Sequence, residues 1–390
     1  MAEFPGVGDP GSMVRFSEMP RGLPRGCLRG LTLMSHRGIF LLFLCGLLLL
    51  AGCGTYSRPG MEPAQARQVE AEIGRRAAGL TPDDEDRILA LNPLQLTAAD
   101  VRGPLARAPA PRIICIHGGY AAVMPRMVSF TEFLVGMGYP AASVTNAADG
   151  THTFSCYEDS EVIAGLIAWY YEKEGLRPMM VGHSQGEMQA VKVLQRLARD
   201  PAKPLAVWNP LTWQPEPRDH IVDPLTRQSR PVVGLRLAYA TAVCAGGTGR
   251  IPPNQWDMMG SLRTVPESVE EFTGFYKNFD LLGGDLFGYG SSNHFKAGGR
   301  TVVRNLRLPA KYDHNHIPDT KHLLASPALV DWINAYQPAD AAPAEPVFEA
   351  DSRHILWAAD VWYSVRKNWV TELQRWLRAE RARRAAAVAP

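Results

Sequence analysis

The segment Gly182-His183-Ser184-Gln185-Gly186 sets a serine between two glycines at G-x-S-x-G spacing. A serine hydroxyl is a weak nucleophile near neutral pH, and it acts when a histidine takes its proton and a carboxylate orients that histidine. The two glycines suit a sharp strand-to-helix turn, where the backbone must approach closely. Candidate bases downstream are His314 and His316 in Y-D-H-N-H-I-P, and His322, which opens H-L-L-A-S-P-A-L-V-D-W-I. The candidate acid is Asp280, at the end of F-T-G-F-Y-K-N-F-D, with Asp285, Asp257 and Asp313 as alternatives. The run D-H-N-H-I-P-D-T-K-H also gathers metal-competent residues in Asp313, His314, His316, Asp319 and His322, but its spacing matches no common zinc pattern. No metal and no cofactor is expected.

Elements able to position these groups are legible around them. P-R-I-I-C-I-H-G-G and L-R-P-M-M-V-G-H-S are short continuous apolar runs ending in turns, the pattern of strands buried on both faces of a parallel sheet. G-Y-P-A-A-S-V, P-L-A-V-W-N-P, the run into Asp280 and G-G-R-T-V-V-R-N-L-R-L-P-A-K-Y-D read as further strands. Helical spacing appears in residues 127–137, in E-V-I-A-G-L-I-A-W-Y-Y-E-K-E-G, in Q-G-E-M-Q-A-V-K-V-L-Q-R-L-A-R-D and in the segment closing at Tyr336. Strands alternating with helices imply an α/β fold with a mostly parallel, doubly wound sheet. Residues 211–269, rich in Pro, Trp, Met and Gly, are expected to form a cap over the carboxyl ends of the strands.

With I-H-G-G-Y after the first strong strand and G-H-S-Q-G at the turn after another, residues 111–336 resemble the α/β-hydrolase superfamily, especially its lipases and esterases. The resemblance implies a carboxylic ester hydrolase that works through an acyl-enzyme on Ser184. It implies an oxyanion hole from the backbone N–H groups of Gly119 and Gln185, with His117 bracing its loop. The superfamily order of serine, acid, histidine, and the likeness of H-L-L-A-S-P-A-L to its histidine segment, select Asp280 and His322 as partners of Ser184. The substrate is expected to carry a hydrophobic acyl or alcohol group. An acyltransferase using the same residues, and a non-catalytic binding lipoprotein of the same fold, are the alternatives. Glu187 departs from the small residue usual in G-H-S-Q-G-G, and it is expected to act on the helix N-terminus through the dipole.

Flanking segments speak to location. Five arginines precede the apolar run I-F-L-L-F-L-C-G-L-L-L-L-A-G, which is shorter than the roughly 20 residues a membrane span requires and reads as an export signal. Leu50-Ala51-Gly52-Cys53 resembles the lipobox of bacterial lipoproteins. It implies removal of residues 1–52, a lipid on Cys53, and a place in the cell envelope, on the outer membrane facing the periplasm. A start at Met34 gives a signal of typical length. Residues 53–108 read as a tether and helical segment, 109–337 as the hydrolase-like domain, 338–351 as a linker and 352–390 as an amphipathic helix. That helix carries a Trp/Leu stripe among arginines, suited to packing on its own domain, to a second subunit or to a membrane interface. Cys156 and Cys244 are candidates for a disulfide, and Cys115 reads as core. The chain has 390 residues, 46% apolar and 21% charged, with a net charge of +2 and basic residues at its ends, so nucleic acid is not an expected partner.

Overall fold

A computed structural model describes residues 58, 60–75, 79–244, 260–283, 285, 288–339 and 345–388. The expected signal segment, Cys53 and Asp257 lie outside these residues.

The core is a six-stranded sheet in which every pairing is parallel. Its strands are β1 (Ile113–His117), β2 (Phe154–Ser155), β3 (Met179–His183), β4 (Leu237–Val243), β5 (Val269–Tyr276) and β6 (Val302–Arg307). They lie in the order β6-β5-β4-β3-β1-β2. Every residue of β1, β3 and β4 is buried, as befits central strands covered by helices on both faces. β6 is an edge strand and is the most open of the longer strands, with Leu306 its one buried residue. The chain reverses its direction of travel across the sheet between β1 and β3, so the loops leaving these two strands diverge and open a crevice at the carboxyl edge.

The longer helices among the described residues are α1 (Pro63–Arg75), α2 (Pro82–Ala90), α3 (Met124–Gly136), α4 (Ser160–Glu174), α5 (Gln185–Leu197), α6 (Pro327–Ala335) and α7 (Ile355–Val388). The Asp159 carboxylate caps α4 by accepting from the Glu161 N–H, and Gly175 ends it at φ 80°. Two hydrophobic layers cover the sheet. One contains α3, α6 and α7, and the other contains α4 and α5.

Two expected strands are not part of this sheet. In G-Y-P-A-A-S-V the buried Tyr139 is followed by a 3-10 turn at Ala141–Ser143, because Pro140 has no N–H to give a ladder and alanines gain little from a pleated surface. In P-L-A-V-W-N-P only Trp208–Asn209 is extended, and it pairs antiparallel with Gln214–Pro215. Conversely, the stretch expected as a continuous cap holds β4, a fully buried central strand. The cap cannot then be one insertion running from 211 to 269.

The C-terminal stripe packs on its own domain. Trp357, Trp362, Val365, Trp369, Leu373 and Leu377 of α7 are fully buried. Trp369 Nε1 donates to the Pro109 carbonyl at 2.8 Å, and Gln374 Nε2 donates to that of Leu91 at 2.8 Å. Arg177 and Arg304, from the start of β3 and from β6, pair with Glu372 and Asp360 on the same helix at 2.6 Å each. Among the described residues no helix is long and apolar enough to cross a membrane. Cys115, Cys156 and Cys244 are buried, and Cys156 and Cys244 belong to opposite layers, so the considered disulfide between them is not formed.

Candidate active site

Ser184 stands at the end of β3 with φ 55° and ψ −120°, a backbone state that L residues with a side chain rarely adopt. The neighbours show why the turn needs glycines. A Cβ on Gly182 would meet the Gly186 carbonyl at 2.5 Å, and one on Gly186 would meet the Ile116 carbonyl at 2.3 Å. The turn is held from β4, because the Ser184 N–H donates to the Val243 carbonyl at 2.9 Å. The serine makes no capping bond to α5, so its hydroxyl is left for another partner.

That partner is His314. Its Nε2 lies 2.8 Å from Ser184 Oγ, and its Nδ1 lies 2.9 Å from each carboxylate oxygen of Asp280. The three side chains leave the carboxyl ends of three parallel strands: Ser184 after β3, Asp280 after β5 and His314 after β6. Asp280 is 3% exposed and accepts the Gly283 N–H at 3.0 Å. Burial works to raise its pKa, but the His314 bond and charge, the Gly283 amide and Lys277 outweigh burial and hold the carboxyl below its ordinary value. An ionised carboxylate, an imidazole and a hydroxyl in series can pass a proton from the hydroxyl to the ring while the carboxylate stabilises the resulting cation.

His322, the expected base, is not in this group. It sits in the 3-10 turn Lys321–Ala325, with Nε2 3.8 Å from Asp351. The reason is geometric: β6 ends at Arg307, and the loop that follows reaches the crevice within seven residues, whereas His322 lies beyond it, where the chain turns back under α3. His316 pairs with Asp313 at 2.7 Å, and both are exposed. Asp285 supports the acid from behind, taking the N–H groups of Phe279 and Tyr289 at 3.0 and 2.8 Å. The potential ligands of D-H-N-H-I-P-D-T-K-H are taken up separately, Asp319 by Arg126 and Ser129. Among the described residues the one group spaced for a metal is Cys244, Asp280 and His314, and both His314 ring nitrogens are already engaged there. Burial, and then the charges of Asp280 and Glu187, push the Cys244 thiol well up, which keeps it neutral.

Gly118 and Gly119 follow β1 and face the serine turn. A Cβ on Gly118 would meet Ser184 Cβ at 3.0 Å, and one on Gly119 would strike Gln185 Oε1 at 2.0 Å and Tyr157 Oη at 2.7 Å. The Gly119 backbone therefore lies against the first residue of α5, where helix amides and dipole favour negative charge. His117 holds its own loop, its Nδ1 donating to the Gly118 carbonyl at 2.8 Å.

Two buried donors fix the His314 loop, and sequence reasoning missed both. His183 Nε2 donates to the His314 carbonyl at 2.7 Å, and Lys277 Nζ donates to the Tyr312 carbonyl at 2.6 Å. The only signal for His183 was its place beside the serine. Burial, with the neighbouring His314 adding to it, lowers the His183 pKa from 6.5 to about 3, so the folded protein keeps this ring neutral. The unfolded chain takes up that proton near 6.5, and stability from the neutral ring is lost as pH falls from 6.5 toward 3. In urea titrations between pH 7 and 4, His183→Gln, which keeps an N–H donor, is expected to flatten this acid-side loss; an unchanged slope counts against the assignment.

Glu187, in the first turn of α5, is 1% exposed and meets Arg263 at 2.9 Å. Arg263 also donates to Asn293 Oδ1 at 3.0 Å and lies over the Phe295 ring. Glu187 thus forms an ion pair that ties α5 to Arg263 and, through it, to Asn293 and Phe295. Arg263→Met, leaving Glu187 buried without this partner, is expected to cost about 3–5 kcal/mol in chemical denaturation, and Glu187→Gln in the same chain should restore part of it.

No protein-family model, no curated protein and no solved structure matches the chain.

Proposed function

We propose that the protein is a serine hydrolase of α/β-hydrolase type that cleaves carboxylic esters through an acyl-enzyme. The observation that carries this is the series Ser184 Oγ, His314 Nε2 and Nδ1, Asp280 carboxylate, joined at 2.8 and 2.9 Å at the carboxyl edge of a parallel sheet. Ser184 Oγ attacks the ester carbonyl while His314 Nε2 takes its proton. The tetrahedral oxyanion is held by the backbone N–H groups of Gly119 and Gln185. His314 returns the proton to the leaving alcohol, the acyl-enzyme forms, and water activated by the same ring releases the acid. Asp280 keeps Nδ1 protonated and compensates the imidazolium.

The strand order supports the reading. G-x-S-x-G follows the strand next to the reversal point, and the base is carried on the loop after the last strand. Large apolar side chains exposed beside the site, Tyr120, Met124, Phe279 and Leu281 among them, favour a hydrophobic acyl or alcohol group. A lipid on Cys53 in a bacterial envelope completes the proposal, on the strength of L-A-G-C closing the apolar run.

The test is a fluorophosphonate probe on the full chain. Labelling at Ser184, mapped by mass spectrometry and lost in Ser184→Ala, is the expected result. A folded wild-type protein left unlabelled would reject the hydrolase and favour a non-catalytic binding protein of this fold.

A further inference from the structure

Arg58 is built into the domain. Its guanidinium donates to Thr151 Oγ1 at 2.5 Å, to the Thr153 carbonyl at 2.6 Å and to Asp149 Oδ2 at 3.3 Å. It lies over the rings of Phe154 and Trp213, 4.6 and 5.1 Å from their centroids. Just beyond, the Met61 N–H donates to the Leu211 carbonyl at 2.7 Å, and Gly60 lies so close to the Thr212 carbonyl that a Cβ would overlap it at 1.9 Å.

This clamp sits near the catalytic edge of the sheet. Phe154 is in register with Ile116, one row short of His117, and Ile116 is in register with Gly182, two residues before Ser184. Burial first, and then the Arg58 charge, hold the His117 imidazole below its ordinary pKa, as a nearby cation should. On the same edge, exposed apolar side chains follow β1 and β5. Tyr120 and Met124 follow β1, the neighbour of the clamped strand, and Phe279, Leu281 and Tyr289 follow β5.

Arg58 comes five positions after Cys53. Five residues, fully extended, reach no more than about 18 Å. From this we infer that a lipid on Cys53 holds the carboxyl edge of the sheet, with the mouth of the Ser184 site, against the bilayer that carries the anchor. The ester presented to Ser184 is then a lipid of that same bilayer. The inference rests on the proposed lipidation and hydrolase chemistry, and adds to them an orientation and a source of substrate.

The experiment uses the full, acylated chain in phosphatidylcholine vesicles that contain brominated lipid. A bimane label is placed on Tyr289→Cys at the apolar rim, or on Ser229→Cys, whose neighbour Arg230 shares a cavity with Glu270 near the opposite, amino end of β5. The cysteines of the described domain are buried and will not compete for label. Quenching is expected at 289 and not at 229. A flexible Gly/Ser spacer of about twenty residues between Cys53 and Arg58 should reduce it and should slow hydrolysis of a vesicle-borne ester by roughly tenfold, leaving a soluble short-chain ester unaffected. Stronger quenching at 229, or faster hydrolysis of the vesicle ester with the spacer, overturns the orientation. Unchanged quenching with the spacer overturns the part played by the short tether. Failure of the underlying readings is separately visible. A Cys53 without acyl mass removes the anchor and the inference with it, whereas quenching at 289 with no fluorophosphonate labelling overturns only the substrate assignment.

Discussion

His314→Ala is expected to lower kcat on a soluble ester by about 10⁴- to 10⁶-fold, the scale on which loss of a catalytic base collapses a serine nucleophile. His322→Ala should leave the rate within a factor of about three, as substitutions outside the reacting groups commonly do. The contrast is demanding because both histidines lie in one short stretch and both were candidates. His314 Nε2 is 2.8 Å from the Ser184 hydroxyl, and His322 Nε2 is 3.8 Å from Asp351. Fluorophosphonate labelling should follow the same order, slow in His314→Ala and normal in His322→Ala. Equal losses in the two variants, or an intact rate in His314→Ala, would return the base to the other histidines. Thermal unfolding of both proteins serves as the control, so that a lost rate is not a lost fold.

The second large effect concerns α7. Ending the chain after Ser352 is expected to prevent folding altogether, since the helix supplies a run of fully buried tryptophans and leucines to the layer beneath the sheet. Trp369→Ala is the graded version. It removes a buried indole that packs edge-on against Tyr139 with centroids 4.9 Å apart and donates to the Pro109 carbonyl. A loss of about 3–5 kcal/mol is expected. Set against the 5–15 kcal/mol typical of a folded domain, one such substitution consumes a large share of the margin. Urea denaturation followed by far-ultraviolet circular dichroism measures it. A truncated chain that stays folded and only loses affinity for vesicles would instead assign the tryptophan stripe to a membrane interface.

What could be read from the residues divides along physical lines. β1 and β3 were legible because I-I-C-I-H and M-M-V-G-H are unbroken apolar runs closed by glycine turns, and Ser184 because both glycines beside it have a steric reason that spacing alone exposes. β4 was not legible. L-A-Y-A-T-A-V is rich in alanine, and the proline and glycine around it lent the whole stretch the look of a cap, although in the sheet every one of its residues is buried. Asp280 could be placed because it lies within one short turn of the end of β5, so one local element fixes it. The base could not be settled that way, because a histidine on a long loop is positioned by contacts made elsewhere in the chain. Here those contacts are the donors His183 and Lys277, which meet backbone carbonyls and leave no trace in a pattern of side-chain types. Glu187 likewise had a local explanation in the helix dipole, and its partner Arg263 lies 76 residues away.

The spread of the reacting groups along the chain has a consequence for when the protein can act. Ser184 and His314 are 130 residues apart, and Asp280 comes between them. During synthesis the serine leaves the ribosome long before its base exists, and β6 and α7 must both be in place before the base is held against it. On the proposal that the chain is exported unfolded, its passage through the cytoplasm precedes the docking that brings Ser184 and His314 together.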